Sequence, residues 1–257
     1  MKTLLDVYSD YGSIISFSSE AGNMLAKNVI SQVPLIWKTN VSTSHNIVGS
    51  LAFIDDSTYV CPVDSFYIQV EYAPIGTLFT LEIYSDLLDP PSYSYSVTTT
   101  AETEVLTLMA DYQTIGYFWK LVITPPSSSY VKIGRVMVGQ AWQPNIGPSG
   151  DVTVSKNPFI KSERQRNGGV HIPPSINYKT NTVTYRELDK ESLFALLDAL
   201  SRYGSGATIY VEGLLSTSSF TFTSIYGRLI KWTEPQKSLS GNYSITITVE
   251  ETLWRSN

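Results

Sequence analysis

Charged side chains are scarce in this sequence. Only 16% of its 257 residues are Asp, Glu, Lys or Arg, and the formal net charge is −5. Soluble domains carry about 25% charged residues on average. A protein that binds duplex nucleic acid needs many Lys or Arg side chains on one face to neutralise phosphates. The acidic balance therefore argues against that class, and neutral polar and aromatic residues, including 17 tyrosines, take the place of the missing ions.

Cysteine and long apolar runs are also scarce. The single cysteine, Cys61, excludes an internal disulfide and a thiolate metal cage, which fits assembly in a reducing cytoplasm. No stretch reaches 18 apolar residues, and Met1–Glu20 mixes charged residues into its apolar ones. The sequence therefore predicts neither a membrane-spanning helix nor a secretion signal.

The residues that usually carry catalysis are few and poorly placed. Neither His45 nor His171 has an acid or a cysteine at metal-ligand spacing, and no Gly-x-Ser-x-Gly motif is present. The carboxylate pairs Asp55–Asp56, Asp86/Asp89 and Glu102/Glu104 lie in short polar stretches, where solvated turns are expected. We predict a protein that is not an enzyme and that has no metal site and no cofactor.

Residues 1–142 are predicted to be almost wholly β. Ser65–Tyr72 and Thr77–Tyr84 alternate apolar with polar residues, and Ala73–Gly76 between them predicts two adjacent strands with a tight connection. Further strands are predicted at Tyr93–Thr98, Glu104–Ala110, Tyr117–Thr124 and Val131–Val138. Regularly spaced strands without an intervening helix are typical of a β-sandwich or jelly roll.

The segment Gln143–Gly150, rich in Pro and Gly, predicts a domain boundary, with residues 143–257 forming a second domain. In that domain a long hairpin is expected over residues 151–188, with a polar, basic turn at Lys161–Gly169. Three strands are expected to close the chain: Ala207–Gly213, Ser224–Trp232 and Asn242–Leu253.

One α-helix is predicted, at Lys190–Tyr203. Asp189 is a suitable N-cap, because its carboxylate can accept hydrogen bonds from the unpaired N–H groups of the first turn. Four leucines recur at helical spacing and predict one buried stripe: Leu193, Leu196, Leu197 and Leu200. A single helix in a β domain must lay this stripe on a sheet.

Two groups of residues are candidates for binding. The aromatic residues Tyr93, Tyr95, Tyr117, Trp119 and Trp142 could form a platform for stacking sugars, or they could simply fill a core. The basic residues Lys161, Arg164 and Arg166 could contact an acidic partner, or they could form a solvated turn.

Several short motifs carry a resemblance to a known family. Phe118–Gly139 resembles the closing hairpin of galactose-binding-type jelly rolls in phage tail-tip proteins. The motifs that follow occur in an order similar to that of distal-tail and tail-tip proteins of long-tailed bacteriophages: Gly168–Gly169, Arg186, the leucine-rich helix, Tyr226–Arg228 and Glu250–Glu251. The resemblance covers about 119–257, and its domain order is the reverse of that in many distal-tail proteins.

The resemblance implies a tail-tube-like β-sandwich or split barrel with one packed helix in the second domain. It further implies a ring, with six copies expected, at the distal end of a virion tail, assembled in the host cytoplasm. The expected partners are sister copies, the tail-tube protein and hub or baseplate proteins, with DNA passing only transiently through the lumen.

Within that ring, the tip Lys161, Arg164, Arg166, Gly168 and Gly169 is expected to bridge neighbouring subunits. The alternative is a carbohydrate-binding module or adhesin, for which Tyr93, Tyr95, Trp119 and Trp142 are the expected contacts.

Overall fold

The computed structural model describes residues 3–7, 9, 12–30, 35–51, 61–145, 152–159, 163–164, 170–171, 176–203, 208–211 and 225–251. The chain divides into two compact units, Leu4–Ala141 and Trp142–Leu253. Across the described ranges the structure is mostly β, with a single α-helix. The predicted fold class is therefore confirmed.

The N-terminal unit contains two layers of β-strands, and the pairings of β2 to β10 within them are antiparallel. Its strands are β1 (Thr3–Val7), β2 (Ile14–Phe17), β3 (Trp37–Lys38), β4 (His45–Ser50), β5 (Cys61–Tyr72), β6 (Leu78–Tyr84), β7 (Tyr93–Thr98), β8 (Glu104–Gly116), β9 (Phe118–Thr124) and β10 (Lys132–Trp142). One sheet has the order β2-β4-β9-β6-β7, and the other has the order β1-β10-β5-β8, with β3 also paired to β10. A short 3-10 helix, Ala26–Ile30, lies between β2 and β3 in the sequence.

Both sheets turn their apolar residues towards one core. In the five-stranded sheet, Ile47, Leu121, Leu81 and Tyr95 lie side by side in register across β4, β9, β6 and β7. Phe66, Ile68 and Val70 of β5 belong to the same buried cluster. Successive side chains of a strand point to opposite faces, so each strand contributes every second residue to this core. The N-terminal unit is thus a β-sandwich, as predicted.

The pairing of successive strands differs from the sequence-based expectation. β5 and β6 were expected to be adjacent, yet they lie in different sheets. The connection at Ala73–Gly76 crosses between the sheets, and Gly76 there has a positive φ of 86°. β9 and β10 also lie in different sheets, so Phe118–Gly139 is not a hairpin. Apolar alternation looks the same for a hairpin partner and for a strand in the facing sheet, so it could not separate the two arrangements.

The C-terminal unit is built on one antiparallel sheet. Its elements are β11 (Val152–Phe159), β12 (Glu163–Arg164), β13 (Val170–His171), β14 (Ile176–Leu188), α1 (Lys190–Tyr203), β15 (Thr208–Val211), β16 (Ile225–Trp232), β17 (Gln236–Lys237) and β18 (Tyr243–Glu251). The sheet order is β11-β14-β18-β16-β15, with β17 also paired to β18. β11 and β14 pair from Val152↔Val183 to Phe159↔Ile176, as the expected long hairpin requires.

The helix α1 has the predicted bounds. The Asp189 carboxylate accepts a hydrogen bond from the Ser192 N–H at 2.7 Å, which is the predicted N-cap. Leu193, Leu196 and Leu200 are buried, and Leu197 is half-buried. On the same unit, the Trp142 indole donates to the Ser192 carbonyl at 2.9 Å and meets the Tyr185 ring edge-on at 4.8 Å. The first turn of the helix is therefore anchored by both its cap and a tryptophan.

Candidate functional site

The aromatic residues predicted for sugar stacking are divided between the two units. Trp119 is completely buried, and Tyr93 and Tyr95 pack against the same core of the N-terminal unit. Trp142 belongs to the C-terminal unit and is also buried. Trp119 and Trp142 therefore offer no ring face to a ligand, whereas Tyr93, Tyr95 and Tyr117 are half-buried. Sugar contact by these three tyrosines stays a prediction.

The basic tip of the long hairpin is described only in part. Arg164 lies in β12, opposite Val170 of β13. Lys161, Arg166, Gly168 and Gly169 lie outside the described residues. The bridging role of this tip stays a prediction.

A second group of side chains, which the sequence patterns did not single out, converges in the N-terminal unit. Tyr72 at the end of β5 stacks on Tyr130, with ring centroids 4.9 Å apart and planes inclined by 28°. The ammonium of Lys38 lies 4.7 Å from the centroid of the Tyr130 ring. Lys132 stands opposite both Lys38 on β3 and Tyr72 on β5. We call these four residues the tyrosine–lysine cluster.

Each member of the tyrosine–lysine cluster is partly exposed. The cluster therefore offers aromatic surface, two phenolic hydroxyls and two ammonium groups to solvent at one place. Lys38, Tyr72 and Tyr130 are far apart in the sequence. They come together because β10 pairs with both β3 and β5 in this register. The nearest local signal is the alternation Tyr130-Val131-Lys132, which is too short to predict a site.

Unlike the two lysines of the tyrosine–lysine cluster, Lys120 on the five-stranded sheet forms an ion pair with a described acidic residue. Lys120 contacts Glu82 at 3.1 Å, and the Tyr84 hydroxyl donates to the same carboxylate at 2.6 Å. Burial and the neighbouring Glu82 raise the pKa of Tyr84. Burial lowers the pKa of Lys120, but the hydrogen bond and charge of Glu82 outweigh it, so this pKa is raised. These three groups satisfy one another, which is typical of a structural contact.

The C-terminal unit presents an exposed leucine on a turn. Leu239, between β17 and β18, is fully exposed. Glu187 holds this turn: its carboxylate accepts hydrogen bonds from the Ser240 hydroxyl at 2.7 Å and from the Asn242 amide at 2.9 Å. These hydrogen bonds lower the pKa of Glu187. Glu187 itself has a φ of 62°, a left-handed backbone conformation that is unfavourable for a residue with a side chain.

Comparison of the sequence with protein families finds no match, and comparison with curated proteins finds none either. Solved structures do resemble part of the chain. The family 32 carbohydrate-binding module of Clostridium perfringens NanJ, in complex with galactose, is 17% identical, with 54% of this chain and 98% of that module covered and a TM-score of 0.39. A chitosan-binding module from a Paenibacillus chitosanase/glucanase is 14% identical, with 52% and 97% covered and a TM-score of 0.40.

A third similar structure comes from a complex of two proteins. Reduced XRCC1, solved bound to the catalytic domain of DNA polymerase β, is 14% identical, with 50% of this chain and 95% of that chain covered and a TM-score of 0.39. The TM-scores of these three likenesses are all 0.40 or lower, so none of them bears on the function of this chain.

His45 is a buried titratable group in the N-terminal core. It lies at the start of β4, and its Nε2–H donates to the Ser129 carbonyl at 2.9 Å. Within the described residues the other ring nitrogen, Nδ1, has no hydrogen-bond partner. A proton added at Nδ1 would be buried without an acceptor. Burial accordingly lowers the pKa of His45 below its ordinary value of 6.5, although the Ser129 carbonyl opposes that shift.

This burial predicts a pH-dependent loss of stability. Below pH 6.5 the unfolded chain binds a proton at His45 before the folded chain does, so stability falls as the pH drops towards the lowered folded pKa. We expect His45→Gln to flatten the pH dependence of the melting temperature between about pH 7 and pH 5. Glutamine can still donate to Ser129. Equal slopes for the wild type and the variant would contradict this account.

The described ranges contain neither a metal-binding cluster nor a membrane-spanning helix. No group of three or more His, Cys, Asp or Glu side chains there could hold a metal ion. In the same ranges no helix has the length and apolarity needed to cross a bilayer. Cys61 is buried and forms no disulfide, and its thiol lies 4.0 Å from the Leu51 carbonyl oxygen.

Proposed function

We propose that this chain is a non-enzymatic structural component of a phage virion tail, which assembles with copies of itself into a ring at the distal end of the tail. The C-terminal unit would form the ring, joining the tail tube to the baseplate or tip proteins. A hexamer is the expected stoichiometry. The resemblance of the later motifs, from Gly168 to Glu251, supports this role. The edge of the C-terminal sheet is the observation on which the proposal depends.

That edge is strand β11. Along all eight of its residues β11 pairs with β14, and it is the last strand of its sheet in the part of the chain that the structure describes. An edge strand exposes a row of N–H and C=O groups that can pair with another chain. A heterologous contact of this kind closes into a ring when the rotation between copies is right.

The composition of β11 is consistent with selective pairing. Its first four residues, Val152–Ser155, carry no charge, whereas Lys156 and Pro158 follow near the far end. Lysine and proline on an edge strand hinder the addition of an unrelated strand. We therefore expect the contact between copies to involve Val152–Ser155, in one register.

Two single proline substitutions test this edge. Successive residues of an edge strand direct their N–H groups alternately to the neighbouring strand and outwards. Of Thr153→Pro and Val154→Pro, one therefore removes a hydrogen bond to β14 and lowers the melting temperature. The other removes only an outward N–H, and we expect it to abolish assembly while the melting temperature stays close to that of the wild type. Light scattering and negative-stain imaging measure assembly, and the two variants serve as each other's control.

Annular particles of the wild type that persist in both proline variants would contradict the edge-strand contact. A wild-type protein that stays monomeric at high concentration would contradict the ring itself. Measured turnover on a glycan or an ester would show that the protein is an enzyme, against the proposal.

A second candidate function is carbohydrate binding by the N-terminal unit. The tyrosine–lysine cluster favours it, because partly exposed tyrosines combine an apolar ring face with a polar hydroxyl, as sugar rings also do. The two candidates concern different units of the chain and can both hold. A virion component that also binds a surface glycan would satisfy both.

A further inference from the structure

We infer that the tyrosine–lysine cluster is a binding site for an acidic sugar, that is, a sugar ring bearing a carboxylate or a phosphate. This inference rests on the second candidate function and deepens it by naming the site and the class of ligand. Its members are Lys38, Tyr72, Tyr130 and Lys132.

The two lysines indicate the charge of the ligand. Lys38 and Lys132 are direct partners in the antiparallel pair of β3 and β10. Like charges directly opposite each other on neighbouring strands are destabilising. Neither lysine forms an ion pair with an acidic side chain among the described residues, where Lys120 does so with Glu82. An anion held between the two ammonium groups would relieve their repulsion.

The nearest acid along β5 is already engaged. Glu71 precedes Tyr72, and its carboxylate accepts a hydrogen bond from the Gln69 amide at 2.6 Å. That amide satisfies one carboxylate oxygen of Glu71. The chain has only 16% charged residues and a net charge of −5, so two facing cations are unusual for it.

The tyrosines indicate the rest of the ligand. Tyr130 is contacted by both the Tyr72 ring at 4.9 Å and the Lys38 ammonium at 4.7 Å, so its position is fixed before a ligand arrives. A preorganised aromatic group loses little entropy on binding. The exposed parts of the two rings supply apolar contact area for the C–H groups of a sugar, and the phenols can hydrogen-bond its hydroxyls.

The small size of the tyrosine–lysine cluster favours a small ligand over a protein. A stable protein interface buries about 1,600 Å² in total and involves roughly 20–30 residues on each side. The cluster consists of four partly exposed side chains. A sugar unit with one anionic group matches both its extent and its two positive charges, whereas an acidic peptide would need a longer row of cations.

Isothermal titration calorimetry of the full chain tests the inference. The probes are trigalacturonic acid, a galactose 6-phosphate disaccharide, a neutral galactose trisaccharide and a short polyglutamate peptide. We expect either acidic sugar to bind at least about tenfold more tightly than the neutral one, since a charge-assisted hydrogen bond is worth about that factor. The carboxylate and phosphate probes distinguish the two sources of charge.

Substitutions in the tyrosine–lysine cluster test whether the acidic sugar binds there. Lys38→Gln and Lys132→Gln should each weaken acidic-sugar binding about tenfold. Tyr130→Leu should weaken the binding of every sugar. Lys237→Gln is the matched control: this lysine also lies over a tyrosine ring, 6.0 Å from that of Tyr243, but in the C-terminal unit. It should bind like the wild type, and unchanged melting temperatures would show that all variants are folded.

The binding results distinguish three ways in which the inference can fail. Equal binding of neutral and acidic sugars, lost in Tyr130→Leu but kept in both lysine variants, would overturn the acidic class and leave carbohydrate binding standing. Preferential binding of polyglutamate would overturn the sugar. No binding of any sugar would overturn this inference together with the second candidate function, without touching the ring.

Discussion

Replacing Trp119 with alanine is expected to lower the free energy of unfolding by about 3–5 kcal/mol, the usual cost of truncating a buried tryptophan. Trp119 is completely buried in the five-stranded sheet, opposite Gly49 of β4 and Ile83 of β6. Its ring lies so close to β4 that a Cβ atom added at Gly49 would be only 2.6 Å from it. A glycine at that position is what leaves room for the indole. Removing the indole would leave a cavity bounded by rigid strands.

Urea unfolding followed by circular dichroism measures this loss. Trp119→Phe is the control, because it keeps an aromatic ring in the cavity and should lose clearly less stability than alanine does. A Trp119→Ala variant within about 1 kcal/mol of the wild type would contradict the assignment of this residue to the core.

The same result bears on how glycan binding is tested. If Trp119→Ala lost sugar binding, the loss would report a damaged sandwich and not a missing contact. The partly exposed Tyr130 is the informative position. The aromatic residues that are conspicuous in the sequence are thus unsuitable probes of function, whereas two less conspicuous tyrosines are suitable ones.

What could be predicted from the sequence was local. Alternation in Tyr243–Glu251 and in Leu78–Tyr84 places strands there, because a two-residue period is set by the strand itself. The helix Lys190–Tyr203 was predicted with its bounds, because its cap and its leucine spacing are contained in one short segment. Both kinds of signal need no knowledge of the remainder of the chain.

Pairing between distant strands could not be predicted in the same way. The assignment of β5 and β6 to different sheets depends on which surfaces meet across the core, and no residue of Ala73–Gly76 reveals that. The tyrosine–lysine cluster has the same origin. Lys38 and Lys132 become neighbours only through the pairing of β3 with β10. Sites that depend on strand register are therefore invisible to motif searches.

The two units point to a division of tasks. In the proposed virion component, the open edge of β11 in the C-terminal unit serves assembly, and the tyrosine–lysine cluster in the N-terminal unit serves recognition. Neither task requires a catalytic centre. A low content of charged residues suits the first task, because charge on a strand edge hinders pairing between copies.

The proposed ring depends on the C-terminal unit being folded around its helix, which a leucine substitution tests. We expect Leu196→Ala to lower the free energy of unfolding by about 2–5 kcal/mol, because Leu196 is completely buried and alanine would leave a cavity. Alanine has the highest helix propensity, so the loss would come from packing and not from the helix itself. Urea unfolding measures it, with circular dichroism as the signal.

Phe194→Ala is the matched control for this substitution. Phe194 is in the same helix but 55% exposed, and a surface change of this kind alters stability by about 0.5 kcal/mol. Leu197, which is half-buried, should fall between the two. Equal losses for Leu196→Ala and Phe194→Ala would show that the leucine stripe is not what holds α1 in place. The ordered series would show that α1 is held in place by its buried leucine stripe and not by its Phe194 face.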